Sequence, residues 1–218
     1  MSEHVITGAA VRRFPLTGKQ LMSLLGVVPL GAYVVAHLWT NLYAINGAES
    51  FDKALVDSRA NPAFIFLEIV GLGIPILIHS VIGLQIVRRM RVNNSRYTYF
   101  RNLKYLLQRL SGVGVLLFIG AHVVKARILP SFGTPGHETW AGMHEALSEP
   151  VTFTVYALGM LGISYHLANG LWSASITLGL TTTPQGMRRM EWASAFFFVI
   201  LLCMSGLAIY GFQPTLLG

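Results

Sequence analysis

FLEIVGLGIPILIHSVIGL, residues 66–84, carries only two ionisable side chains, Glu68 and His79, in an otherwise apolar run. A helix needs about 20 predominantly apolar residues to cross the hydrocarbon layer of a bilayer. This run and its flanks supply them over residues 62–90. Outward from it, four comparable stretches occupy residues 20–44, 104–128, 150–179 and 189–212. Composition agrees: of 218 residues, 53% are hydrophobic and 11% charged, against roughly 25% charged in a soluble domain, and the mean hydropathy is +0.57. The expected fold is all-α, an integral membrane bundle of five transmembrane helices. Residues 1–218 read as a single membrane domain, because what lies between the stretches is too short and too polar for a separate globular one.

The net charge is +7, and its distribution sets the expected orientation. Arg12, Arg13 and Lys19 precede the first stretch; Arg88, Arg89, Arg91, Arg96, Arg101, Lys104 and Arg109 crowd the second connection; Arg188 and Arg189 precede the fifth stretch. In a five-helix serpentine these all lie on one side, against Lys53, Arg59, Lys125 and Arg127 on the other. The positive-inside rule then puts the N-terminus in the cytoplasm and the C-terminus outside. The basic excess is a topology signal, with docking of a cytoplasmic partner or anionic lipid as a secondary role, and not a nucleic-acid surface. Residues 1–20 lack the apolar core of a cleavable signal peptide, so the first stretch is expected to remain as a spanning helix. Cys203 is the only cysteine. That excludes an internal disulfide and a cysteine-ligated iron–sulfur cluster within the chain, and Cys203 itself reads as helix packing. Pro62 and Pro150 stand where helices are expected to start, while Pro29 and Pro75 fall inside stretches and predict kinks. The outer connections, residues 45–61 and 129–149, hold most of the acids and are expected to include short amphipathic turns.

His37, His79, His122 and His166 stand singly in the first four stretches, 42, 43 and 44 residues apart. An ionisable side chain within a membrane is costly and marks a functional site by default. Each lies 16 to 18 residues past the start of its stretch, roughly 25 Å beyond the face its helix entered. Antiparallel helices therefore bring His37 to the depth of His122, near the outer face, and His79 to that of His166, near the cytoplasm. Two imidazoles at one level suit haem, whose porphyrin leaves two axial positions to the protein. They fall short of the three or four protein ligands usual for zinc or copper. On the face of His166 lie Gly159, Gly162 and Gly170, and beside His79 lies Gly83. Such glycines would admit a flat macrocycle, or equally would let helices approach closely. Tyr33, Asn41 and Phe118 make the outer surroundings bulkier, and His4, His137 and His144 read as solvated loop residues. Two haems roughly 15–20 Å apart would form a path for single electrons across the bilayer. Without a nucleotide-binding loop, cluster cysteines or a soluble domain, the chain would exchange those electrons with another subunit and with quinone. A non-haem transporter using histidines as a proton relay is the alternative left by the residues alone.

Four segments then point to a family: SLLGVVPLGAYVVAHLWTN around His37, FLEIVGLGIPILIHSVIGL around His79, YTYFRNLKYLLQRLSGVGVLLFIGAHV around His122 and YHLANGLWSASITLGLTTTP around His166. With a fifth, ligand-free helix behind them, they resemble the five-helix, di-haem cytochrome b membrane-anchor subunit of succinate:quinone oxidoreductases, the succinate dehydrogenase and fumarate reductase group. The resemblance implies two haem b groups, an inner one on His79 and His166 and an outer one on His37 and His122. It implies a flavoprotein subunit and an iron–sulfur subunit on the cytoplasmic face, a quinone substrate (menaquinone rather than ubiquinone), and a prokaryotic cytoplasmic membrane. By the same resemblance Ser23 and Arg109 become candidates for holding haem propionates, although Arg109 could also be a snorkelling helix-end cation. Glu68, the one acid within a stretch, reads either as a proton donor to quinone beside the outer haem or as a protonated packing residue. Some fumarate-reducing relatives carry a glutamate where this chain has Ser164, two residues before the fourth histidine, which favours succinate oxidation here. A di-haem cytochrome b of another quinone-linked complex, such as a hydrogenase or nitrate reductase, is the rival within this resemblance.

Overall fold

Thr17 opens the first helix with a reciprocal cap: its hydroxyl accepts from the Gln20 backbone N–H at 3.3 Å, and its own N–H donates to the Gln20 side chain at 3.0 Å. From there a computed structural model describes residues 16–90, 99–133 and 138–213, with no strand among the described residues. Five helical spans are long and apolar enough to cross a membrane: span 1 (Gly18–Asn46), span 2 (Phe64–Arg88), span 3 (Phe100–Ser131), span 4 (Pro150–Thr177) and span 5 (Pro184–Gly211). Their outward faces carry bulky apolar side chains such as Leu117, Phe196 and Leu158. In a water-soluble bundle these would form a large exposed apolar surface; here they meet acyl chains.

Span 4 is the central post, packed against spans 1, 3 and 5. Leu38, Leu167 and Leu201 close the middle of the bundle where spans 1, 4 and 5 meet. Small hydroxyls join helices there, as when Ser194 Oγ donates to the Ala168 carbonyl at 2.6 Å. Such short polar groups permit close approach and give up little in a lipid environment.

Several boundaries depart from the apolar pattern for local reasons. Span 5 begins at Pro184 rather than 189, because Thr183 caps it by accepting from the Gly186 N–H at 3.1 Å and Pro184 fits the first turn. The two polar turns that follow, with Arg188 and Arg189, are helical without being apolar. Pro150 does open span 4. Pro62 does not open span 2: Asn61 Oδ1 accepts from the Ala63 N–H at 2.9 Å, making a turn, and the helix starts at Phe64. Pro29 divides span 1 into Gly18–Val27 and Pro29–Asn41. Ahead of Pro75 the chain widens into a π-helical turn, Leu67–Gly73, and a second such turn, Val124–Ile128, lies near the C-terminal end of span 3.

The connections after spans 1 and 3 form two amphipathic helices, Ala48–Arg59 and Trp140–Ser148. Phe51, Met143 and Leu147 close over Ala44, Tyr156 and Phe212. Asp52 accepts from the Trp140 backbone N–H at 2.9 Å, and the Trp140 indole donates to the Gly211 carbonyl at 3.0 Å. His144 is not a solvated loop residue. It lies on the second of these helices, stacks on Trp140 and donates from Nδ1 to the Phe212 carbonyl at 2.8 Å. His4 and His137 lie outside the described residues. Cys203 is exposed on the outward side of span 5 and does not take part in helix packing.

Candidate functional site

The structure brings the four span histidines together as two couples. His37 and His122 have ring centres 5.9 Å apart with planes crossing at 68°, and His79 and His166 have centres 6.2 Å apart with planes at 84°. A metal–imidazole bond is about 2 Å long and a ring centre lies about 1 Å behind its nitrogen, so two imidazoles trans across one iron stand about 6 Å apart. Both couples have that spacing. Among the described residues no three metal-ligating side chains converge, which suits an iron whose equatorial ligands come from a porphyrin.

The inner couple is held from behind. His79 Nδ1 lies 3.0 Å from the Met22 carbonyl, and His166 Nδ1 lies 3.1 Å from the Gln108 carbonyl. A carbonyl only accepts, so each Nδ1 carries the proton and each Nε2 keeps its lone pair for a metal. Around His166 the support extends further. Gln108 donates from its side chain to the His166 carbonyl at 3.1 Å, Asn169 donates to Gln108 Oε1 at 2.7 Å, and Ser111 Oγ sits 3.2 Å from the ring.

The outer couple is surrounded by side chains. His122 Nδ1 is 3.1 Å from the Tyr156 hydroxyl, and Phe118 stacks on the His122 ring at 5.9 Å. Tyr33 stacks on His37 at 5.6 Å. Asn41 donates to the His37 carbonyl at 2.7 Å and lies 3.4 Å from Nε2, the long limit of a hydrogen bond. The two levels are separated by the distance along span 1 from Gly26, which touches His79, to His37. Eleven residues of helix make that about 16 Å.

Gly159, Gly162 and Gly170 face neighbouring side chains. A side chain at Gly159 would overlap the Phe118 ring; at Gly162 and Gly170 a Cβ would meet Val115 and Gln108 at 3.5 Å. Gly83 has open space beside it. The glycines that touch the ligands are Gly26 and Gly112, on the neighbouring spans. Their signal in the sequence was an offset: Gly26 to Gly112 is 86 residues, against 85 for His37 to His122 and 87 for His79 to His166.

Ser23 is buried on span 1 beside Met22. Arg109 follows Gln108, lies over the Tyr105 ring at 3.3 Å, and has a buried Nε with no partner among the described residues. A spare cationic donor here fits an anionic substituent such as a propionate. Arg127 grips Glu68 with two bonds, Nε to Oε1 at 2.9 Å and Nη2 to Oε2 at 2.8 Å. Each partner stands in one of the two π-helical turns, a backbone form found often at functional positions. Ser164 is fully buried, donating to the Met160 carbonyl at 2.7 Å and facing Ser205.

Comparison with known proteins agrees with this geometry. No family model matches the chain. It is 34% identical to the succinate dehydrogenase cytochrome b558 subunit of Bacillus subtilis, over 89% of this chain and 95% of that one. It is also 21% identical to the fumarate reductase cytochrome b subunit of Helicobacter pylori, over 88% of this chain and 77% of that one. The chain therefore belongs to the cytochrome b subunits of the succinate dehydrogenase and fumarate reductase family, a multi-pass membrane subunit of that class of enzyme complex.

Proposed function

We propose that this chain is the membrane-anchor and electron-transfer subunit of a prokaryotic succinate dehydrogenase in the cytoplasmic membrane, linking an iron–sulfur subunit to quinone through two b haems. The observation that carries the reading is the pair of histidine couples, each at the spacing one iron requires, one level above the other. Haem iron supplies a one-electron carrier at each level. The chain's own residues do the rest: His79 and His166 hold the inner group with Nδ1 protons fixed on carbonyls, and His37 and His122 hold the outer one. Arg109 and Ser23 would hold the inner propionates. The N-terminus and the basic connections face the cytoplasm, where a flavoprotein and an iron–sulfur subunit dock. By family likeness menaquinone is the substrate rather than ubiquinone.

At the outer level Glu68 exchanges protons with quinone. The two bonds from Arg127 hold its carboxyl group in a fixed orientation at that level. The burial of Ser164 between Met160 and Ser205 leaves no room for a glutamate beside His166, which supports succinate oxidation as the working direction.

The test is a reduced-minus-oxidised visible spectrum and a haem count for the wild type and for four single His→Ala variants. The expected result is two low-spin b haems, with His79→Ala and His166→Ala damaging one and His37→Ala and His122→Ala the other. A spectrum without haem returns the chain to the transporter reading. Any other grouping of the four variants overturns the assignment of ligands. Copurification of flavin and succinate activity separates this complex from a hydrogenase or nitrate reductase.

A further inference from the structure

We propose that Gly26 and Gly112, each with the backbone carbonyl four residues before it, are positioning residues that fix the ring planes of the two inner axial ligands. This rests on the inner-haem reading above, but its evidence is separate.

A Cβ built on Gly26 would lie 2.7 Å from Cε1 and 3.0 Å from Nδ1 of His79. One built on Gly112 would lie 2.8 Å from Cε1 and 3.3 Å from Nδ1 of His166. Each imidazole edge thus lies flat in a notch that only glycine leaves open. The carbonyl that takes the Nδ1 proton belongs to Met22 beneath one notch and to Gln108 beneath the other. Residues four apart share a helix face, so notch and acceptor form one seat. The seat occurs twice, on spans 1 and 3, with both of its members displaced by 86 positions. A chance helix contact would not repeat both a steric and a hydrogen-bonding component at the same offset.

The seat has a definite physical consequence. An imidazole has one free torsion that matters at an iron, rotation about its metal–nitrogen axis. A hydrogen bond at Nδ1 and a wall at Cε1 together stop that rotation. Because the two seats lie on different spans, they stop the rings at nearly perpendicular settings, 84° apart. With a haem iron held between them, rings so crossed would leave the two iron orbitals that interact with them close in energy, and the ferric ion would show a strongly anisotropic low-spin resonance. A methyl group in either notch must tilt the ring, break the carbonyl bond or draw the nitrogen away from the iron.

The experiment compares Gly26→Ala and Gly112→Ala with Gly159→Ala and Gly206→Ala, in membranes containing the whole complex. The signal of each haem is first identified with His79→Ala and His122→Ala. Haem per chain and the large-g line of each ferric haem are then measured. Gly26→Ala and Gly112→Ala are expected to remove the inner haem, one of the two, or to move its large-g line while the outer line stays. Gly159→Ala, which presses Phe118 against His122, is expected to disturb the outer line instead. Gly206→Ala, with nothing within 4 Å, should disturb neither. Retention of the inner haem with an unmoved line in both seat variants overturns the proposal while leaving the ligand assignment intact. If those variants do not accumulate, ferrous wild-type protein labelled with 15N-histidine decides. Nδ1 protons assigned to His79 and His166, by their absence from the His→Ala variants, that persist in D2O support the seats, and their prompt exchange refutes them.

Discussion

Tyr156→Phe removes one oxygen atom from the protein, and its effect can be worked out in advance. That oxygen lies 3.1 Å from His122 Nδ1, on a side chain only 5% exposed. On the proposed ligation, Nε2 would be directed to the iron, and Nδ1 would then carry a proton and donate it to the hydroxyl. The bond draws positive charge from the ring, makes the imidazole a better electron donor, and so favours ferric over ferrous iron. Such a hydrogen bond is worth about 0.5–1.5 kcal/mol net. For a one-electron couple about 59 mV corresponds to a tenfold change in equilibrium constant, or 1.4 kcal/mol. If most of the bond's strength distinguishes the two oxidation states, the outer-haem midpoint should rise by roughly 20–60 mV. Because Phe keeps the ring that packs against Phe118 and His122, folding and haem content should be preserved. Potentiometric titration of membranes, followed at the visible haem bands, gives both midpoints at once. An outer midpoint unchanged to within about 10 mV, or an inner midpoint moving by as much, would refute the reasoning.

Gly211→Ala should lower stability by about 1–3 kcal/mol, because its Cβ would lie 2.6 Å from the Ile45 backbone nitrogen, which cannot swing aside; a thermal midpoint equal to that of Gly206→Ala would contradict this. Ser164→Glu should cost several kcal/mol by placing a carboxyl group in a fully closed site, and the chain's abundance in membranes should fall well below wild type. Glu68→Gln should slow quinone turnover roughly tenfold or more while both haem spectra persist; unchanged turnover removes Glu68 from proton exchange. Arg127→Leu removes the fork that orients the Glu68 side chain and should also slow quinone turnover with both haem spectra intact; turnover at the wild-type rate would show that the pair is not needed.

The pairing of the histidines was legible because helix length and antiparallel order fix depth, and depth is nearly all that a couple needs. The five helices were legible for the same reason, since a bilayer imposes a minimum apolar length. What the sequence hid was lateral. Gly26 and Gly112 touch histidines on other spans, and no periodicity within one helix reveals a partner on the next. Gly159 and Gly162 drew notice by lying on a ligand's own helix, yet they accommodate Phe118 and Val115. Glu68 looked solitary because Arg127 is 59 positions away, and only the packing of spans 2 and 3 joins them. His144 lay beyond the apolar runs, where hydropathy carries no information about a helix that covers the outer end of the bundle.

The arrangement of ligands also bears on assembly. Spans 1 and 2 contribute His37 and His79, and spans 3 and 4 contribute His122 and His166, so each couple draws one member from each helical hairpin. Neither hairpin can complete a coordination sphere alone. On the proposed ligand assignment, loading either iron would rivet the halves together, and a chain whose second hairpin is late or misinserted would fill no site at all. Cofactor capture would thereby become an inspection step, passed only by a subunit whose two halves have already met.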